Sequence, residues 1–120
     1  MDKGTLVMMH GMTGTSEKME DLARRLTPDG WSTLCPQAKI VHPTRGGFAW
    51  WLFEGAISKQ ESMAQMEQSL SEVLEILPDG PIIVGGFSQG GAMASALLGT
   101  EASNSIVGLV LIATKTARPD

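Results

Sequence analysis

Three short apolar runs divide the chain, at residues 5–9, 82–87 and 106–113. Each has the length of one strand, and a run without polar alternation is typical of a strand that is buried on both faces of a sheet. A further strand is predicted at residues 31–35, which Pro36 closes. The hydrophobic pattern therefore predicts four strands.

Helical periodicity fills the gaps between these strands. Residues 16–26 repeat apolar positions at helical spacing after a cap at Thr15 or Ser16, and a Pro-Asp-Gly sequence then stops the helix. Residues 58–77 carry one apolar stripe among acidic and amide side chains. The segment after Ser88 is rich in alanine, which allows a third helix to pack closely on the sheet.

Residues 36–57 are the least regular part of the chain, because prolines and glycines break any long element there. The segment nevertheless holds four of the six aromatic residues, namely Phe48, Trp50, Trp51 and Phe53. An irregular excursion of this length is usually functional or disordered. Its aromatic content indicates packing rather than disorder.

Strands that alternate with helices predict right-handed βαβ crossovers. We therefore predict an α/β fold with a mainly parallel sheet of about four strands and helices on both faces, as a single domain over residues 1–120. Ligand sites in such sheets gather at the carboxyl ends of the strands. That edge would carry the His10-Gly11 sequence, the loop after Cys35, and Ser88.

Composition excludes several function classes. The chain is 42% hydrophobic and 18% charged with a net charge of −4, and its Lys and Arg residues are scattered, so no face is predicted to bind nucleic acid or an anionic membrane. No apolar run approaches the ~20 residues of a membrane span, and no signal region follows Met1. A single cysteine, Cys35, fits a reducing cytoplasm and is expected to be a small buried residue rather than a reactive thiol.

The sequence Gly-Phe-Ser-Gln-Gly at residues 86–90 fits the pattern Gly-x-Ser-x-Gly. In that pattern a serine lies on a strained strand-to-helix turn at the carboxyl end of a parallel sheet, and a side chain at either glycine would collide with the backbone. We therefore interpret Ser88 as a nucleophile. The amide of Gln89 is a natural oxyanion donor, and residues 10–12 lie in the loop that normally supplies the second donor.

Four blocks of sequence follow one another with compatible spacing. The first block is residues 7–12, where a predicted strand runs into His-Gly-Met, and the second is Cys-Pro-Gln-Ala at residues 35–38. The third is Trp-Trp-Leu-Phe at residues 50–53, and the fourth is the serine motif within residues 85–92. Together they resemble the phospholipase/carboxylesterase family of α/β-hydrolases, which includes the acyl-protein thioesterases. The resemblance extends from about residue 5 to about residue 113.

This resemblance implies a serine hydrolase that cleaves short- to medium-chain carboxylic esters or thioesters through an acyl-enzyme on Ser88, with no metal and no cofactor. It implies that the amides of Met12 and Gln89 form the oxyanion hole. It also implies that Trp50 and Trp51 lie near an apolar acyl pocket.

The base departs from the family pattern. The family places an Asp and then a His after the serine, whereas no histidine follows Ser88 here and the only later Asp is Asp120. Three explanations stay open: a fragment that lacks the C-terminal part of the fold, a short form with little or no activity, or a different histidine as base. His42 is the better candidate, because its loop leaves a strand at the functional edge, while His10 is expected to be a buried residue that shapes its loop.

Two further expectations concern partners and alternatives. If residues 106–113 form an edge strand, that hydrophobic edge would pair with another chain, most simply in a symmetric dimer. The alternative to an enzyme is an inactive hydrolase-like domain that serves as a binding or assembly unit. A nucleotide-binding domain fits less well, since neither of the usual phosphate-loop patterns is present. Glu101 is a poor replacement acid, because it is expected at the far end of the helix that follows Ser88.

Overall fold

The computed structural model describes residues 3–53 and 56–112. Its strands are β1 (Thr5–Met9), β2 (Ser32–Leu34), β3 (Ile40–Val41), β4 (Phe48–Ala49), β5 (Ile82–Phe87) and β6 (Ile106–Ile112). Four of them form a parallel sheet in the order β2-β1-β5-β6, and β3 and β4 form an antiparallel pair. The predicted parallel sheet of four strands is confirmed.

β1 lies inside the sheet, since it pairs with β2 on one side and with β5 on the other. All of its residues are buried, as expected for an apolar run that is covered on both faces. The register places Met9 beside Gly86, so β1 and β5 end at the same edge. That edge carries the loop after His10 together with Ser88.

The helices are α1 (Ser16–Leu26), α2 (Lys59–Ile76) and α3 (Gln89–Leu97), and a short 3-10 helix spans Glu101–Asn104. The Thr15 hydroxyl caps α1 by accepting the Lys18 amide at 3.1 Å, and Ser58 caps α2 in a capping box with Glu61. Each cap contributes about 1 kcal/mol. All three predicted helices are confirmed. No helix within residues 3–53 and 56–112 has the length and hydropathy of a membrane span.

Helices cover both faces of the sheet, as predicted. On one face, Met19 and Ala23 of α1 pack with Leu6 and Met8 of β1. On the other face, α2 and α3 pack on alternate positions of β1 and β5, in a cluster that includes Val7, Met9, Val73, Val84, Met93 and Leu97. Burial of one such side chain stabilises the fold by about 1.5–3 kcal/mol, so these two layers hold the sheet in place.

β6 differs from the other long strands because it lies at the edge of the sheet. Its side chains alternate between partly buried and exposed, with Val107 at 65%, Leu109 at 40% and Leu111 at 45% exposure. The prediction that this strand is buried on both faces is therefore wrong. The helical layers are centred on β1 and β5, and they leave alternate positions of the edge strand uncovered. Residue 113 of the predicted strand lies outside the described residues.

The irregular segment after β2 is anchored on the loop that follows β1. Phe48 bridges to Gly14, and the Thr13 amide donates to the Phe48 carbonyl at 2.8 Å. Gly47 has a φ of 69°, and a Cβ at this position would overlap the backbone of Thr13. The contact therefore requires glycine. The predicted packing of the segment is confirmed at Trp50, which is 2% exposed.

Candidate active site

Ser88 occupies a strained turn between β5 and α3. Its backbone angles are φ 56° and ψ −115°, and such a conformation costs on the order of 1–3 kcal/mol in a residue other than glycine. Within residues 3–53 and 56–112, Thr13 is the one other non-glycine residue with positive φ. The Ser88 side chain is exposed and makes no capping hydrogen bond to α3. A serine with only a capping function would use its hydroxyl there, so the group is left for other chemistry.

The glycines of the turn are required by close backbone contacts. A Cβ at Gly86 would overlap the backbone of Gly90, and a Cβ at Gly90 would overlap the carbonyl oxygens of Met9 and His10. These contacts confirm the steric prediction from the motif. They also hold the Ser88 turn directly against the end of β1.

The Gln89 amide, next to Ser88 in the chain, and the Met12 amide, in the loop after β1, have no acceptor among the described residues. Gln89 is the first residue of α3, so its amide has no partner within the helix. Gly11 packs on the turn so closely that a Cβ there would lie 3.4 Å from the Ser88 Cβ, and Met12 follows it. Neither the Met12 amide nor the Gln89 amide donates a hydrogen bond in the described part of the chain. Such amides can bind a developing oxyanion, and the oxyanion roles of both residues stay predictions.

His10 is buried and hydrogen-bonded within the loop that follows β1. Its Nδ1 lies 2.7 Å from the Gly11 carbonyl oxygen, and its Nε2 accepts the Ala38 amide at 3.0 Å. The ring stacks on Trp50 with centroids 5.1 Å apart. Burial lowers the pKa of His10, and the hydrogen bond to Gly11 offsets part of this shift. The predicted role of a buried histidine that shapes its loop is confirmed.

His42 lies in the turn between β3 and β4 and is 6% exposed. Its Nδ1 accepts the amides of Thr44 at 3.3 Å and Arg45 at 3.1 Å, and its own amide donates to the Gly47 carbonyl at 3.0 Å. Nδ1 therefore has no lone pair left for the hydroxyl of Ser88, and in the neutral ring the other nitrogen, Nε2, carries the proton and cannot accept a second one. The base role of His42 stays a prediction, and it requires the ring to give up both bonds.

The aromatic segment (residues 50–52) lies next to the loop that carries Met12. Trp50 is buried, and its indole Nε1 donates to the His10 carbonyl at 2.8 Å. Trp51 is half-buried. The segment therefore borders the region where the acyl pocket is predicted, and contact of either tryptophan with an acyl chain stays a prediction.

Three polar side chains that the sequence did not single out for this purpose hold the aromatic segment in place. Ser69 and Gln65 of α2 and the side chain of Gln89 form hydrogen bonds with its backbone. The sequence holds a weak signal for Ser69, which is a small polar residue beside the apolar stripe of its helix. In the structure this serine is 3% exposed. Nothing in the local pattern identifies Gln65.

Other reactive side chains lie away from the turn or are inert. Burial, with a smaller contribution from the Glu20 carboxylate, raises the pKa of the half-buried Cys35 thiol to about 11, although Arg24 offsets part of this shift. Glu101 follows the carboxyl end of α3, whereas Ser88 lies at its amino end. In the part of the chain that the structure describes, no three His, Cys, Asp or Glu side chains are grouped closely enough to hold a metal ion.

Comparisons with known proteins agree with this architecture. The family model described as alpha/beta hydrolase fold matches residues 4–120. No curated protein matches the chain significantly.

Two solved structures illustrate the likeness. One is the crystal structure of an uncharacterized protein from Bacillus cereus ATCC 10987, with a TM-score of 0.60 and 17% identity, and the match covers 95% of this chain and 35% of that one. The other is ClbQ from the colibactin NRPS/PKS pathway, with a TM-score of 0.61 and 14% identity, and the match covers 99% of this chain and 47% of that one. At these identities the likeness concerns the fold alone. The chain spans less than half the length of either structure.

Proposed function

We propose that this chain, which belongs to the alpha/beta hydrolase fold family, is a serine hydrolase of the carboxylesterase or thioesterase type. The observation that carries the proposal is Ser88, an exposed serine with a φ of 56° whose hydroxyl is not used by the helix that follows. Backbone strain of this kind persists only where the surrounding structure enforces it, and it gathers at functional sites.

The finer part of the proposal comes from the resemblance to the phospholipase/carboxylesterase family. It specifies carboxylic esters or thioesters with short to medium acyl chains as substrates. It also assigns the two tryptophans of the aromatic segment to the neighbourhood of the acyl chain. The single cysteine, Cys35, supports the cytoplasm as the site of action.

In the proposed reaction, the Ser88 Oγ attacks the carbonyl carbon of the acyl group while its proton passes to a base. The carbonyl oxygen becomes an oxyanion, which the amides of Met12 and Gln89 and the positive end of α3 stabilise. One such donor contributes about 3 kcal/mol. Collapse of the intermediate breaks the bond to the alcohol or thiol, which leaves with the proton, and water then hydrolyses the acyl-enzyme.

His42 is the proposed base. Its turn reaches the loop of residues 10–14 (the oxyanion loop), because Gly47 at the end of that turn packs against Thr13. To accept the proton, the ring must exchange its bonds to the Thr44 and Arg45 amides for one to Ser88. A folded His42→Ala variant that loses about 10²- to 10⁴-fold in rate supports this role, and an unchanged rate removes it.

Hydrolysis of p-nitrophenyl butyrate tests the proposed function. We expect Ser88→Ala to abolish the activity of the wild-type chain. Ser103→Ala is the matched control, since Ser103 is an exposed serine of the 3-10 helix, and we expect it to leave the rate unchanged. Equal rates for the wild type and Ser88→Ala would contradict the proposal.

The exposed side of β6 favours a second candidate function, that of an assembly unit. The strand has no charged residue and no proline to protect its edge, and the proposed occupant of the edge is β6 of a second copy. In sedimentation velocity we expect the wild type to form a dimer and Leu109→Lys to shift it toward the monomer. Val41→Lys, at an exposed apolar position on β3, serves as the control. A wild type that stays monomeric at high concentration excludes this candidate.

A further inference from the structure

The backbone of the aromatic segment finds its hydrogen-bond partners in helix side chains rather than in a neighbouring strand. The Trp50 amide donates to Oε1 of Gln89 at 2.7 Å, and the Trp50 carbonyl accepts from the Ser69 hydroxyl at 2.5 Å. The Leu52 amide donates to Oε1 of Gln65 at 2.8 Å. Buried backbone groups need such partners, so these side chains determine where the segment lies.

Gln89 contributes two of these bonds. Its Oε1 accepts the Trp50 amide, and its Nε2 donates to the Trp51 carbonyl at 2.8 Å. The residue is 7% exposed. Its backbone amide is also the proposed oxyanion donor next to Ser88. One residue therefore connects the aromatic segment with the turn at residues 86–90, which carries Ser88.

A second connection runs from Trp50 to the oxyanion loop. The Trp50 indole donates to the His10 carbonyl at 2.8 Å, and the two rings stack at an interplanar angle of 26°. His10 is followed by Gly11 and Met12, whose amide is the other proposed oxyanion donor. Trp50 is thus hydrogen-bonded both to Gln89 and to His10, which precedes the loop residue Met12 by two positions.

We propose that the Gln89 side chain is a positioning residue that sets the place of the aromatic segment relative to Ser88 and thereby the acyl chain lengths that the site accepts. The catalytic part of this inference rests on the proposed function, whereas its structural part rests on hydrogen-bond geometry. The position requires an acceptor for the Trp50 amide and a donor for the Trp51 carbonyl at the same time. Glutamine supplies both at every pH, but glutamate does so only when its carboxyl is protonated.

The structural part is tested by the ¹H–¹⁵N signal of the Trp50 indole, together with near-ultraviolet circular dichroism, at pH 7.5 and pH 5.5. We expect Gln89→Met to lose the native signal at both values. Gln89→Glu loses it at pH 7.5 and regains it as the pH falls, because the protonated carboxyl again donates to Trp51. Gln68→Met is the matched control, since Gln68 is exposed and its side chain contacts Glu72, and it keeps the native signal.

A native indole signal in Gln89→Met overturns the inference, and so does a Gln89→Glu signal that does not respond to pH. The wild type at both pH values corrects for the titration of other groups. If Gln89→Met does not fold, the pH response of Gln89→Glu decides the question by itself.

The catalytic part is tested with p-nitrophenyl acetate, butyrate and octanoate. We expect Gln89→Met to change the octanoate-to-acetate ratio of kcat/KM by about tenfold, mainly through KM, because a displaced pocket wall changes acyl binding. An unchanged ratio in a variant with altered spectra excludes the effect on specificity. If the wild type hydrolyses none of the three esters, the proposed function fails, while the spectra still decide the structural part.

Discussion

The nucleophile turn (residues 86–90) and the aromatic segment lie side by side, but different forces hold them. The turn is fixed by backbone contacts that leave no space for a Cβ at two of its glycines. The aromatic segment is fixed by hydrogen bonds from helix side chains that are 13 to 39 residues distant in the chain. The steric contacts involve neighbouring backbone atoms and do not tolerate a single added methyl group. The hydrogen bonds join distant parts of the chain, and each can be removed without removing the others. The two regions should therefore respond differently to substitution.

The largest expected effect is in the turn. Gly90→Ala places a Cβ on the carbonyl oxygens of Met9 and His10, and overpacking against backbone atoms costs about 3 kcal/mol. Urea denaturation measures the loss. Gly99→Ala is the control, because a Cβ at Gly99 meets the Ala96 carbonyl oxygen at an ordinary 3.6 Å. Equal stabilities of the two variants would contradict the steric account.

In the aromatic segment the expected effect is smaller. Ser69→Ala leaves the buried Trp50 carbonyl without the hydroxyl that now donates to it, and a buried unsatisfied group costs about 1–3 kcal/mol. Ser71→Ala, at an exposed position of the same helix, should change the free energy of unfolding by less than about 0.5 kcal/mol. If urea denaturation finds the two variants equally stable, the Ser69 bond does not hold the segment.

These two regions also separate what the sequence could predict from what it could not. The turn was predictable, because the glycine spacing at Gly86 and Gly90 and the apolar run before it lie within a few residues of Ser88. The bonds from Gln65 and Ser69 were not, since a polar residue in a helix has the same local pattern whether it binds solvent or a distant loop.

The strands also show what a local sequence pattern leaves undetermined. β1 and β6 are both apolar runs, yet β1 is buried throughout and β6 exposes alternate side chains. A run of apolar residues indicates a strand but does not state its place in the sheet. The predicted burial was therefore right for the inner strand and wrong for the edge strand.

Replacement of Ser88, the proposed nucleophile, by glycine should stabilise the turn. Ser88→Gly removes the penalty of a positive φ, and the net gain should be about 1 kcal/mol after the greater backbone entropy of glycine is subtracted. Ser88→Ala keeps the Cβ and thus the strain, so it should match the wild type in thermal denaturation. A Ser88→Gly variant that is no more stable than Ser88→Ala would show that the turn is not strained.

The smallest expected effect concerns His10, which lies between the two regions. Its pKa is lowered in the folded chain by burial, so below about pH 6.5 the unfolded state gains a proton that the folded state resists. Stability should therefore decrease as the pH falls through this range. Urea midpoints at pH 7.5, 6.5 and 5.5 measure the slope, and His10→Asn should flatten it. An equally steep slope in His10→Asn would assign the pH dependence to other groups.

We propose that the Ser88 Oγ is a nucleophile and that the amides of Met12 and Gln89 are its oxyanion donors. Reaction of the folded chain with a fluorophosphonate probe, followed by intact-mass measurement and peptide mapping, tests it most directly. We expect one adduct, located on Ser88, which is absent in Ser88→Ala and retained in Ser103→Ala. A folded wild-type chain that stays unlabelled, or an adduct that persists in Ser88→Ala, would contradict it.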